Sequence, residues 1–500
     1  MKDLIISSSD YNHITYMIDE AEISATFGNQ VYFLLCNSHF GLCGCNLYGD
    51  TFKCFRCERY VKRLLKKCSR GIKVIEPDQA MMKKINEEVV NVSFDYHSID
   101  EIKGLEYKGT KVGYSALSAY LTESRNNNPL IDDEFRLYFD RLLKVACCYA
   151  EFQLRMIDEI QPDRIQLFNG RFMENRPASD FALQRHILLR SCELRTVYPH
   201  CSQKRHFYNA LPHSIANNGK MINQLWYDES VPLEEKEWIG RNFYERKYNH
   251  TYYGDNDYAS GQVAEKMPEN WDASKKNYVI FNSSEDEFTC IGDEYDKAKV
   301  FPSQYEGILY IAEMFKDCQD VRIYLRIHPN LKNIQYRYHT DLLGLGEQYK
   351  NLFVIRGDSA VSTYALMRAA DKVITFGSTT GVEASYMRKP VIALCRSWYS
   401  GIDVCYEPTT VEEMKELLLN DNLKPKPEIE TLKYGYFLVP PNLPGYTFFD
   451  YNWKDFKFLG KTVRQYNLAK YLGSTKLYAI IGMIVGHFCR KYKLPLKEKI

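Results

Sequence analysis

An excess of charge of either sign is missing from this chain: 65 lysines and arginines stand against 64 aspartates and glutamates, a net charge of +1 over 500 residues. That balance excludes a global electrostatic pull toward nucleic acid or acidic polymers, and leaves only local patches to meet such partners. Hydrophobic runs of membrane length are missing too. The late apolar stretch 478–488 (YAIIGMIVGHF) is too short to span a bilayer. The amino terminus, MKDLIISSSD, shows no basic region followed by a long apolar run, so a secretory leader is not expected and a cytoplasmic protein is.

What is present is enough apolar material for sizeable cores, 45% of the residues, at a length that suggests two or three domains. Aromatic residues reach 14%, with 39 tyrosines; they suit sugar sites, where an apolar face meets a polar tip, and A/T-rich codon usage explains them equally well. Cysteine is plentiful at 15, which in a chain that stays in a reducing compartment points to thiols or metal rather than disulfides. Six of them fall between residues 36 and 68. Cys54 and Cys57 form a CxxC pair, and Cys36 with Cys43 or Cys45 would complete a structural zinc site; buried free thiols are the other reading.

The chemistry concentrates in residues 371–394 (DKVITFGSTTGVEASYMRKPVIAL). Residues 372–376 are a β-branched run that reads as a buried strand, and Gly377, Ser378, Thr379, Thr380 and Gly381 form the turn into a helix. Glycine lets a phosphate approach closely, a helix start presents unpaired N–H groups, and the hydroxyls add donors. Glu383, in the first helical turn, is placed to accept from ribose hydroxyls. Two further strand-like runs end in polar loops. Residues 278–282 (YVIFN) lead to Ser283, Ser284 and Glu285, and residues 322–327 (RIYLRI) carry Arg326 and lead to His328. Helix-like stretches between them predict a parallel sheet with its site along the carboxyl edge, where Arg326 supplies a cation for a diphosphate and His328 a group that titrates near neutrality.

The first part of the chain repeats this alternation. Residues 4–8 and 31–36 read as strands around a helix, the long stripe at 135–160 as a core-facing helix, and residues 164–168 as the strand that delivers Asn169, Gly170 and Arg171. Asp255 and Asp257 follow no strand and read as a turn.

The segments SSEDEF, RIHPN and GSTTGVEASYMRKPV, in that order, resemble the donor half of GT-B glycosyltransferases of the bacterial capsule and surface-polysaccharide kind. Asn169-Gly170-Arg171, Tyr198-Pro199-His200 and residues 209–213 (NALPH) are similar to the acceptor half. One departure is Cys201, where an acidic residue is expected after the histidine.

The resemblance implies an α/β chain with two Rossmann-like domains facing across a cleft and a helical carboxyl-terminal tail. The expected boundaries are an acceptor domain at 1–245, a linker at 246–275, a nucleotide-sugar domain at 276–420 and an extension at 421–500. It implies an enzyme moving sugar from a nucleotide-activated donor to a polysaccharide or lipid-linked glycan, with no metal or other cofactor required for catalysis. A nucleotide-sugar epimerase or hydrolase, or a non-catalytic assembly partner, are the alternatives.

The donor would be held by Ser283, Ser284, Glu285, Arg326, His328, Gly377, Ser378, Thr379, Thr380, Gly381 and Glu383. Arg326 and His328 would stabilise the departing phosphate. Asp10, His13 or His213 would supply a base from the first domain, where His39 is a further candidate, and Asn169, Arg171 and His200 would hold the acceptor. The terminal stretch 476–493, apolar then basic, reads either as a helix packed on the first domain or as one docking on the inner face of the cytoplasmic membrane.

Overall fold

The computed structural model describes residues 1–8, 11–36, 38–68, 71–197, 201–249, 251, 258–259, 261–296, 300–452, 455–458 and 461–464. The described residues form two compact units, one of residues 1–212 with 444–464 and one of 213–443.

The first unit is built on a six-stranded sheet of β1 (Lys2–Ile6), β2 (Gln30–Leu34), β3 (Ile72–Ile75), β4 (Arg164–Phe168), β5 (Leu188–Val197) and β6 (Cys201–Tyr208), in the order β3-β2-β1-β4-β5-β6. Every pairing is parallel except β5 with β6, whose short connection allows an antiparallel hairpin. The long apolar stripe is the helix Asp133–Ile160, started by the Asp132 side chain accepting from the Phe135 N–H. It buries Phe139, Leu142, Leu143, Ala146, Tyr149, Ala150 and Phe152, while Val145 and Leu154 are only half-buried.

A buried charge network fastens the edge of this sheet. Lys204 on β6 is 1% exposed, and its ammonium donates to Glu20 Oε1 at 2.8 Å and to Asp19. Arg190 and His206 reach the other oxygen of Glu20. Asp19 also accepts the backbone N–H groups of Thr447 and Phe448 at 3.2 and 2.8 Å, while the Lys204 N–H donates to Pro444 O at 2.8 Å. The chain thus returns to the first unit after residue 443 through backbone bonds to a buried carboxylate and an edge strand. A small antiparallel sheet, β12 (Phe449–Asn452), β13 (Asp455–Phe458) and β14 (Lys461–Arg464), follows.

To the second unit belongs a sheet that is parallel throughout, in the order β11-β10-β7-β8-β9: β7 (Lys276–Phe281), β8 (Val321–Arg326), β9 (Leu352–Ile355), β10 (Lys372–Phe376) and β11 (Val391–Cys395). All five residues of β10 are buried, as an inner parallel strand covered on both faces requires. Residues 213–245, expected with the first domain, pack here instead. The helix Leu233–Tyr248 lies on the helix Glu428–Leu438, with Tyr244 OH donating to Thr431 O at 2.7 Å. The part of the expected extension up to residue 443 is likewise built into this unit.

No helix among the described residues is long and apolar enough to cross a membrane. The terminal stretch 476–493 and the turn at Asp255 and Asp257 lie outside the described residues.

Candidate active site

Neighbouring parallel strands lie about 4.8 Å apart, so the strand order decides which loop ends can meet one ligand. In the second unit β7 is central, with β10 on one side and β8 on the other. The loops after β7 and β10 are therefore adjacent, and the contact is close: a Cβ built on Gly377 would lie 3.7 Å from Ser283 Oγ and 3.1 Å from Arg396 O. Gly377 also has φ of +79°, a conformation other residues adopt only at a cost.

Two serines flank this glycine. Ser283, 4% exposed, accepts at Oγ from Gln304 Nε2 at 2.9 Å. Ser378, 6% exposed, accepts at Oγ from the Thr380 N–H at 3.3 Å and from the Thr380 hydroxyl at 2.8 Å. A hydroxyl whose oxygen already accepts still has its own proton to give, so each serine offers an O–H donor. The turn is tied down from beneath. Thr375 Oγ1 accepts the Ser378 N–H at 3.2 Å, and Tyr399 OH donates to Ser378 O at 2.6 Å. Gly381 is required because a Cβ there would lie 2.2 Å from that same Tyr399 hydroxyl oxygen. Thr379 is exposed and Thr380 half-buried, at the start of the seven-residue helix Thr380–Tyr386.

The other donor-side residues have different partners. Ser284 Oγ donates to Asp286 Oδ1 at 2.5 Å within its own turn, and Glu285 begins the 3-10 turn Glu285–Glu287. Glu383, expected to meet ribose, is a tether: its Oε1 accepts from Lys247 Nζ at 2.6 Å, and its backbone oxygen accepts from Tyr248 OH at 3.0 Å. Arg326 is 2% exposed, and its guanidinium turns to the loop after β9, donating to the carbonyls of Arg356 and, at 3.1 Å, Ser359. Burial pushes its pKa down to about 10, with Asp358 opposing, so it remains a cation at neutral pH. Its visible work is bracing that loop.

His328 stands nearer the serines by connection. Its N–H donates to Asn282 Oδ1 at 2.8 Å, which joins the ends of β7 and β8. Its Nδ1 accepts the Asn330 N–H at 3.2 Å, which in the neutral ring leaves the proton on Nε2. Tyr258 packs edge-on against the imidazole at 4.8 Å.

In the first unit, His13 stacks on Phe168 with ring centroids 3.7 Å apart, at the end of β4. Asn169 and Gly170 take positive φ there, 61° and 85°. Asn169 Nδ2 donates to Glu193 Oε2 at 2.8 Å, and Arg171 donates to Thr122 Oγ1 at 3.1 Å with its guanidinium over Phe172. His39 is exposed. His213, expected to act from the first domain, begins the second unit and packs on Trp398, 4.7 Å between rings. Asp10 and His200 lie outside the described residues.

Zinc does not fit the cysteines. Cys36, Cys43, Cys54 and Cys57 do surround one cavity, but among the described residues no group of three or more His, Cys, Asp or Glu side chains is placed to hold a metal ion. The CxxC pair lies on one helix, Thr51–Leu65, rather than on the turn that a zinc knuckle uses.

Sequence reasoning missed Gln304 and Tyr399, because each acts through a strand-end loop distant in the chain. Only the position of Gln304 beside the Ser303 cap hinted at a fixed orientation.

Residues 247–424 match the family described as capsule polysaccharide biosynthesis protein. No curated protein matches the chain. Similar solved structures include a beta Kdo 2,4 transferase, KpsC of Thermosulfurimonas dismutans, 15% identical over 62% of this chain and 86% of that one, with a TM-score of 0.35. UDP-GlcNAc 2-epimerase of Neisseria meningitidis is 11% identical over 88% of this chain and 100% of that one, at a TM-score of 0.26. The glycosyltransferase SnogD from Streptomyces nogalater is 11% identical over 88% and 96%, at 0.24. At such scores the likenesses carry no argument about the site, and the two-sheet α/β architecture rests on the strands themselves. The family match spans all five strands of the second sheet and the loops that follow them.

Proposed function

We propose that the chain is a glycosyltransferase that moves a sugar from a nucleotide-activated donor to a polysaccharide or lipid-linked glycan acceptor, with the donor phosphate bound at the carboxyl edge of the second sheet. The observation that carries this reading is the pair of buried serine hydroxyls, Ser283 and Ser378, beside the close-approach glycine Gly377 in the segment that matches the capsule family. As the sugar C1–O bond breaks, negative charge develops on the leaving phosphate. Two preorganised O–H donors in a water-poor site stabilise that charge more than they stabilise the ground state.

His328, with Nε2–H as donor, serves the same phosphate, and Arg326 acts by holding the neighbouring loop. The first unit takes the acceptor, and the proton lost from the acceptor hydroxyl passes to a base there, for which His13 beside Phe168 and the exposed His39 are candidates.

The test is a thermal-shift screen of the purified chain against nucleotides and nucleotide sugars, followed by product analysis with and without glycan acceptors. A rise in thermal midpoint with a nucleotide sugar, and transfer only when an acceptor is present, is expected. Donor consumption without acceptor would replace the reading with an epimerase or hydrolase. No nucleotide binding would leave an assembly partner.

A further inference from the structure

Neutral as the chain is, one short stretch of it is not. Residues 51–67 (TFKCFRCERYVKRLLKK) hold seven lysines and arginines against a single carboxylate, Glu58, so a net +6 sits in a chain whose total is +1. All but the last two of these residues form the helix Thr51–Leu65, started by Asp50, whose Oδ1 accepts the N–H groups of Phe52 at 2.9 Å and Lys53 at 3.1 Å.

Packing fixes which side of that helix meets solvent. Tyr60, Val61 and Leu64 are buried in one core with Ile14, Met17 and Phe33, and the Tyr60 hydroxyl lies 2.7 Å from Thr15 Oγ1 on the helix Tyr11–Thr26. At 3.6 residues per turn the opposite face carries Phe55, Arg59, Lys62 and Lys66 in line, flanked by Phe52, Arg56 and Arg63. Phe55 is 43% exposed, and Arg59, Arg63 and Lys66 are exposed; Phe52, Arg56 and Lys62 are half-buried. The Arg59 guanidinium lies over the Phe55 ring, 5.5 Å from its centroid.

Glu58 stands at the margin of this face, where it pairs with Lys62 at 2.9 Å, and Glu76 reaches the same lysine at 3.4 Å. The helix itself supplies no second carboxylate, so its outer face sets cations among two aromatic rings.

A charged helix face usually needs only water. Two features set this one apart. A net +6 over 17 residues repels itself, a cost that an anionic partner removes. An exposed phenylalanine among the cations gains nothing from water, and gains when it enters the apolar boundary beneath lipid headgroups. A soluble polyanion answers the first feature and not the second.

We propose that this face docks on a lipid bilayer bearing anionic headgroups, with Arg59, Arg63 and Lys66 at the lipid phosphates and Phe55 inserted between the headgroups. The surface is separate from the terminal stretch 476–493, and it does not depend on the transferase reading.

The test is flotation of the full chain with phosphatidylcholine vesicles, with and without phosphatidylglycerol. Flotation is expected only with phosphatidylglycerol, and falls as salt is added. Each cation at such a surface contributes about fivefold to partitioning, so the triple variant Arg59→Gln, Arg63→Gln, Lys66→Gln should bind about 100-fold more weakly. A control triple, Lys83→Gln, Lys84→Gln, Lys350→Gln, removes the same charge from other exposed positions and should float as wild type does. Phe55→Ala should weaken vesicle binding about fivefold and leave binding to dextran sulfate unchanged. Circular dichroism checks that each variant keeps its fold.

No flotation with phosphatidylglycerol, equal flotation of the first triple variant and wild type, or an equal loss in the control each overturns the proposal. So does a Phe55→Ala variant that floats as wild type, an outcome that makes a soluble polyanion the partner. Because no probe carries a nucleotide or a sugar, failure here and failure of the donor screen are separate results.

Discussion

Gln304 holds Ser283 from both sides, accepting its N–H at 3.0 Å and donating to its Oγ at 2.9 Å. The serine has no freedom to turn its oxygen elsewhere, and its remaining proton is available toward Gly377 on the adjacent strand end.

Removing either hydroxyl is therefore expected to cost a charge-assisted hydrogen bond to the donor phosphate. Ser283→Ala and Ser378→Ala should each lower kcat/KM for sugar transfer about 10- to 100-fold, equivalent to roughly 1.5–3 kcal/mol, with the circular dichroism spectrum unchanged. Gln304→Leu should give a smaller loss with the serine still present. Steady-state kinetics with saturating acceptor is the measurement; both serine variants at wild-type efficiency would remove the phosphate site.

The turn after β10 can be tested by its packing. Gly381→Ala drives a methyl into the Tyr399 hydroxyl and should destabilise the second unit by about 1–3 kcal/mol. Tyr399→Phe alone loses its bond to Ser378 O, for about 1 kcal/mol. The double variant should be less destabilised than the sum, because removing the hydroxyl makes room for the methyl. A double-mutant cycle from chemical denaturation reads this coupling; strict additivity would contradict the contact.

Arg326 as a brace makes a different prediction from Arg326 as a phosphate ligand. Arg326→Lys keeps the charge and cannot reach both carbonyls, so the loop at residues 356–359 should loosen and stability fall by about 2–4 kcal/mol. Hydrogen exchange of that loop should rise. Turnover falling with no change in exchange or melting would instead place the guanidinium on the substrate.

Glu20 links stability to pH in the first unit. Burial raises its pKa, but the His206 hydrogen bond and the charges of Lys204 and Arg190 outweigh that and hold the carboxyl well below its usual range. A carboxylate depressed in the folded state contributes stability that is fully present above its unfolded value of about 4.3, and that is lost as pH falls from there toward the folded value. Glu20→Gln should cost about 3 kcal/mol at neutral pH, by leaving buried cations short of charge, and the gap to wild type should narrow below about pH 4. Thermal midpoints of both proteins across acid pH would show it; a constant gap would deny the linkage.

Much of this architecture was legible locally. β10 is a five-residue buried run in the sequence and in the fold, and Gly377 and Gly381 mark its turn in both. Helix Asp133–Ile160 follows from its apolar stripe. The site was legible only in part. Glu383 has the right place in a helix to meet ribose, yet a lysine 136 residues away in sequence claims its carboxylate. Cys54 and Cys57 have a metal-like spacing, yet the local helix spreads the thiols around a cavity.

The sequence by itself determined which segments are strands, which loops carry hydroxyls and glycines, and where each strand stops, because side-chain periodicity, capping and turn chemistry act within a few residues. Tertiary structure alone decided that Ser283 lies beside Gly377 and that Arg326 turns to the loop after β9. Those outcomes depend on strand order and on the competition of distant side chains for each buried polar atom, and no local pattern encodes either.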